Sequence, residues 1–185
     1  MGREGANMVL EIPGKILGQD DVRETPASTA EANAFTFDTD DFTDTAGAIS
    51  LKNKTSYYAV SPSDFIAENP DTDNYIYGIA HGNISTSVDS ISYIAPVHLP
   101  QGAVVTACIV HGSAGATAES WTLKRATHDN PSGVTMGTAN FDTADSTIAN
   151  ATIANQTYYY FISTSTLDTN DQIYGGVITY TTDYD

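Results

Sequence analysis

Cysteine is nearly missing from this chain. The 185 residues hold one, Cys108, so no intrachain disulfide can brace the fold. Its place in an alternating apolar run marks it as a small buried hydrophobe rather than a nucleophile. Basic residues are scarce too: 7 Lys and Arg stand against 23 Asp and Glu, a formal charge of −16. That balance repels phosphate and excludes nucleic acid as a partner. No apolar run approaches the roughly 18 residues of a spanning helix, so membrane insertion is not expected. The segment Met8–Ile12, ended by Pro13-Gly14, is too short for the apolar region of a secretory signal.

Reactive constellations are equally sparse. His81, His98, His111 and His128 never fall two or four residues apart, and none neighbours a cysteine, so zinc has no local signature. They read as exposed loop histidines. A Gly-x-Ser-x-Gly elbow and a Gly-x-Gly-x-x-Gly phosphate turn are both absent. The glutamates of the β-patterned part are Glu68 and Glu119, and nothing pairs them for glycoside hydrolysis. The chain is therefore expected not to be an enzyme.

What is present is alternation. After an apolar segment at residues 8–18 and a polar stretch from Gln19 to Asn33, short strand-like runs follow one another. Strands are expected at Phe35–Asp38, Ala48–Lys52, Ser56–Ser61, Tyr75–Ala80, Asn83–Val88, Ile91–Val97, Ala103–Val110, Ser120–Ala126, Thr135–Phe141, Thr157–Thr164 and Gln172–Thr181. Turn-forming clusters separate them, such as Asn69-Pro-Asp-Thr-Asp-Asn74, His111-Gly-Ser-Ala-Gly115 and His128-Asp-Asn-Pro-Ser-Gly133. Pro62–Glu68 could form one helical turn capped by Ser61 or Ser63, and Ala149–Asn155 is a weaker helical candidate. The expected fold is all-β: an antiparallel β-sandwich or jelly-roll over residues 35–185, with an extended N-terminal arm and linker over 1–34.

Side-chain parity gives the expected faces. In Ala103–Val110, Val104, Thr106, Cys108 and Val110 oppose Val105, Ala107 and Ile109, as in a central strand covered on both sides. Trp121, Leu123 and Arg125 share a face, and Tyr158-Tyr-Tyr-Phe161 sends two aromatics each way. Tyr174, Ile178 and Tyr180 are expected opposite Ile173 and Val177.

Two ligand chemistries suit these residues. Clustered carboxylates at Asp38, Asp40, Asp41 and Asp44, and at Asp71 and Asp73, are hard oxygens of the kind Ca²⁺ prefers, though neither group matches an EF-hand. No other cofactor is expected. Among the 11 tyrosines, Tyr57, Tyr75, Tyr77 and Tyr93 form a candidate row of sugar-contacting rings. Sequons at Asn53, Asn83, Asn150 and Asn155 read as accidents of an Asn- and Thr-rich composition.

The succession Tyr57-Tyr-Ala-Val-Ser61, Asp64-Phe65, Tyr93–Thr106, Leu123-Lys-Arg125 and Ile173–Tyr180 resembles uncharacterised β-sandwich domains of bacterial surface proteins and phage structural proteins, over residues 56–181. The resemblance implies a scaffold or attachment role and carries over no functional residue. The leading expectation is a self-assembling structural subunit of a virion or extracellular surface structure: a capsid decoration protein, tail fibre or filament. It would be a homo-oligomer, a trimer or higher, in contact with other virion or surface proteins. Met8, Val9, Leu10 and Ile12 would contribute to assembly as an added strand. The alternative is a carbohydrate-binding module with a glycan as partner.

Overall fold

The computed structural model describes residues 53–78, 82–113 and 115–182, together with the backbone of four short strands ahead of them. Those four form two antiparallel hairpins: β1 (Glu11–Ile12) with β2 (Lys15–Ile16), and β3 (Phe42–Thr45) with β4 (Ala48–Leu51). They belong to one compact unit, Met1–Lys52, and Asn53–Asp185 forms a second. The boundary expected at residue 34 falls within the first unit, and the strand expected at Phe35–Asp38 lies outside the described residues. Of the acidic cluster Asp38–Asp44, the backbone of Asp44 lies in strand β3, and Asp38, Asp40 and Asp41 lie outside the described residues. Phe42, Thr43 and Thr45 favour extended backbone, and Asp44 sits on the ladder opposite Ile49.

The second unit contains β5 (Lys54–Val60), β6 (Ile66–Ala67), β7 (Tyr75–Gly78), β8 (Asn83–Thr86), β9 (Tyr93–Val97), β10 (Val104–Gly112), β11 (Ser120–Thr127), β12 (Asn130–Asn140), β13 (Tyr158–Thr164) and β14 (Gln172–Thr182). One antiparallel sheet runs β12-β11-β13-β9-β6. In the other, β14 pairs with β10 along one side and with β5 and then β8 along the other, and β7 lies beyond β8. Alternate residues of both sheets meet in one core: Trp121, Leu123, Tyr160 and Ile162 from the first, Val60, Ile84, Cys108 and Ile178 from the second. This is the β-sandwich the alternation predicts.

The Leu99–Gly102 turn carries the chain from one sheet to the other. Ala103 N–H bonds the Pro100 carbonyl at 3.2 Å, and Gly102 takes a φ of 81°, which a side chain would oppose. Strand β10 is therefore an edge strand, not the central one its apolar faces suggest. Its outer edge is covered by the segment from Phe141 to Thr157. Cys108 and Asp145 exchange backbone bonds at 3.0 Å, and Ile153 N–H reaches the Ala103 carbonyl at 2.8 Å. Edge protection explains why this strand is apolar on two sides.

Two irregularities shift parity. A bulge between Val105 and Ala107 brings Val105, Cys108 and Val110 inward together. In β14 the ladder skips from His111↔Gly175 to Gly112↔Ile173, and Gly175 has a φ of 109°. Ile173 and Ile178 both end up buried, and Tyr174 is exposed, against the expected pairing of Tyr174 with Ile178. Of the helical candidates, a short 3₁₀ turn forms at Pro62–Asp64. Ser61 caps it, with Asp64 reaching back to the Ser61 N–H at 2.9 Å. Ala149–Asn155 forms no helix, because Ala149 and Ile153 bond instead to Met136 and Ala103.

Candidate functional site

The outer face of the β12-β11-β13-β9-β6 sheet follows from register. Tyr160, Ile162 and Thr164 of β13 are buried, so Tyr159, Phe161 and Ser163 point to solvent. Across the ladder, Phe161 lies opposite Lys124 and Tyr159 opposite Ala126. The Tyr159 and Phe161 rings stand 5.8 Å apart with planes 24° from parallel. The His128 ring, at the tip of the β11–β12 hairpin, lies 5.9 Å from Tyr159. Its Nε2 is 3.3 Å from the Asn155 carbonyl oxygen.

Small residues underlie this row. Ala126 is buried but stands apart from the core cluster, as its place on the outer face beneath these rings requires. Gly133 of β12 leaves a gap that Phe161 fills from two strands away. A Cβ there would lie 3.1 Å from Phe161 Cζ and 3.2 Å from Lys124 Cδ. Phe161 and the Lys124 stem thus converge over one glycine, and Tyr159 remains 38% exposed. Ile94, Pro96 and Ile66 extend the apolar surface across β9 and β6.

The four tyrosines expected to form a row do not. Tyr57 stands alone on the outer face of the other sheet, 71% exposed. Tyr75, Tyr77 and Tyr93 gather at the sandwich edge between β7 and β9. Tyr75 packs edge-on to Tyr77 at 5.4 Å and to Tyr93 at 6.3 Å. Tyr93 is 2% exposed, which corrects its reading as a solvent-facing contact. It is an inward residue of β9, and burial drives its phenol pKa upward. Tyr77 remains 41% exposed and donates its hydroxyl to the Phe65 carbonyl at 3.2 Å. Its own pKa is raised by burial and by Tyr75. Beside it lies a shallow cavity of about 280 Å³ lined by Ser61, Pro62, Ser63, Tyr77, Gly78, Gly82 and Asn83. Asn83 is 8% exposed, too enclosed to serve as a glycan acceptor.

Met8, Val9, Leu10, Asp38, Asp40, Asp41 and His81 lie outside the described residues, and of Ile12 and Asp44 only the backbone is described. Asp73 accepts the Asn69 N–H at 3.1 Å within its own loop. Among the described residues no group of three His, Cys, Asp or Glu stands together as a metal site. Cys108 is buried, and desolvation pushes its thiol up to about 12, the opposite of an activated nucleophile. His98 and His128 are exposed as expected, and His111 is a strand residue bonded to Asp142 at 2.8 Å. Among the described residues no helix is long and apolar enough to cross a membrane.

Tyr159, Phe161 and His128 escaped the sequence reading. Tyr158-Tyr-Tyr-Phe161 has aromatics at every position, so parity alone cannot say which pair faces water. The usable signal was the small residues on neighbouring strands, Ala126 and Gly133.

No family model and no curated protein matches this chain. Among solved structures, a xylan-binding module CBM15 is similar at 15% identity, over 68% of this chain and 97% of that one, with a TM-score of 0.40.

Proposed function

We propose that the second unit is a non-catalytic carbohydrate-binding module, with Tyr159 and Phe161 as its stacking rings. The observation that carries this reading is the near-parallel ring pair on the solvent side of a sheet, 5.8 Å apart and extended by His128. A pyranose ring has an apolar C–H face that fits the electron-rich face of an aromatic ring, while its hydroxyls stay in water. Rings fixed over Ala126 and Gly133 lose little conformational freedom when a sugar docks. An open sheet face admits an extended chain rather than a single enclosed sugar. This reading stands ahead of the self-assembling subunit because its residues and their geometry lie within the described fold.

Affinity electrophoresis and calorimetry against a panel of neutral and acidic plant, algal and bacterial polysaccharides test it. The wild-type protein is expected to bind at least one. The Tyr159→Ala/Phe161→Ala double variant should bind none while keeping its melting temperature within a few degrees. Undiminished binding by that variant would overturn the assignment.

A further inference from the structure

We propose that this surface takes polysaccharides bearing uronic acid residues, with the Lys124 ammonium receiving a carboxylate beside the sugar stacked on Phe161. The inference rests on the glycan-binding reading above and names its ligand class. Lys124 faces Phe161 across the β11–β13 ladder, and both side chains converge over Gly133. A sugar stacked on that ring would therefore set its substituents next to the lysine.

The state of Lys124 is unusual for so acidic a chain. With 23 acidic residues against 7 basic ones, a lysine has an excess of carboxylates available to it. Yet among the described residues the ion pair found is His111 with Asp142, and Lys124 has no carboxylate within reach. Between residues 53 and 182 the described acidic residues all lie outside the strands. Of the two nearest in sequence, Glu119 precedes the start of β11 and Asp129 lies at the hairpin tip, where the Thr127 hydroxyl lowers its pKa. Of the other described cations, Arg125 turns inward, lying 4.2 Å over the Tyr158 ring and donating to Asn150 at 2.8 Å. Lys54 belongs to the other sheet. Among the described residues, Lys124 is thus an unpaired positive charge on a ring-bearing face whose strands carry no carboxylate.

Bulk attraction cannot mimic this site, because a protein of charge −16 repels a polyanion as a whole. Any preference for carboxylated chains must come from contacts within about one Debye length, roughly 8 Å at physiological salt.

The test uses the full chain with polygalacturonate, alginate and glucuronoxylan, each beside its carboxyl-reduced form. At least one acidic polymer should bind about tenfold tighter than its reduced partner, as one charge-assisted hydrogen bond provides. Lys124→Gln should remove that preference without changing affinity for the reduced form, and Lys124→Arg should retain most of it. Equal binding of acidic and reduced chains, or a preference that survives Lys124→Gln, would overturn the uronate assignment and leave the ring surface standing. Absence of binding to every polymer, acidic and neutral, would overturn both.

Discussion

The two outer faces of the sandwich are built from strands of the same kind, yet they present different surfaces. On the β5–β14–β10 side, Tyr57 lies opposite Thr179, with Ala107 beyond it, and Ala59 lies opposite Val177, with Ile109 beyond. Thr55 and Thr181 continue the pattern, and among the described residues no ring pairs with Tyr57. On the β13 side, Tyr159, Phe161 and His128 form a continuous row. Tyrosine exposure does not separate the faces, since Tyr57 is the most exposed of these rings. What separates them is the neighbourhood. On the β13 side the bare backbone of Gly133 makes room for Phe161 beside Tyr159, whereas the strand paired with Tyr57 sets Thr179 and Val177 next to it, and the tyrosine stands free.

Removing both rings should have the largest effect. The Tyr159→Ala/Phe161→Ala variant is expected to lose glycan binding to below detection, a loss above about 100-fold, or ~3 kcal/mol. Tyr57→Ala on the opposite face should leave affinity within about twofold. Comparable losses at Tyr57 and Tyr159 in calorimetry would mean that the difference between the faces has no functional content.

A smaller change sharpens the same contrast. Gly133→Val leaves every ring in place but puts a side chain where Phe161 and Lys124 now meet, 3.1 and 3.2 Å from its Cβ. Both obstructing groups are side-chain atoms rather than backbone, and valine suits a strand, so the fold should hold. Affinity should fall about fivefold, ~1 kcal/mol, because the Phe161 ring must swing off its bed. If binding is unchanged, the underlying small residues do not position the ring.

The faces were unequally legible in the sequence because parity is informative only where polar and apolar residues alternate. In Ser120-Trp-Thr-Leu123 polar and apolar residues alternate, and Trp121 and Leu123 lie inward on the shared face that the alternation predicts. The all-aromatic run at Tyr158–Phe161 gave no such contrast. Parity also fails across bulges: the skips near Thr106 and Gly175 depend on backbone geometry that composition marks only as a possible glycine. Tyr93 was misplaced as a contact residue because tyrosine suits both a rim and a core, and its position on β9 decides for the core.

The smallest expected effect concerns the seam that holds the two faces together. Asp145 lies in the segment that covers β10, and its carboxylate accepts the Thr138 N–H of β12 at 2.9 Å and the Thr147 N–H and hydroxyl at 2.7 and 2.6 Å. Its backbone meanwhile exchanges bonds with Cys108 of β10. The Thr147 hydroxyl, followed by the backbone N–H groups, lowers its pKa below the ordinary 3.8. A carboxyl lowered on folding stabilises the fold fully above its unfolded pKa, and that contribution is lost as pH falls through the lower folded value. Melting temperature should therefore drop as pH falls below the ordinary carboxylate value of 3.8. Asp89 and Asp129, also lowered by threonine hydroxyls, add to the decline. Asp145→Asn removes one share of it, so the variant should melt lower than wild type at neutral pH and approach it in acid. Parallel melting curves across that range would show that the seam between the sheets does not depend on this carboxylate.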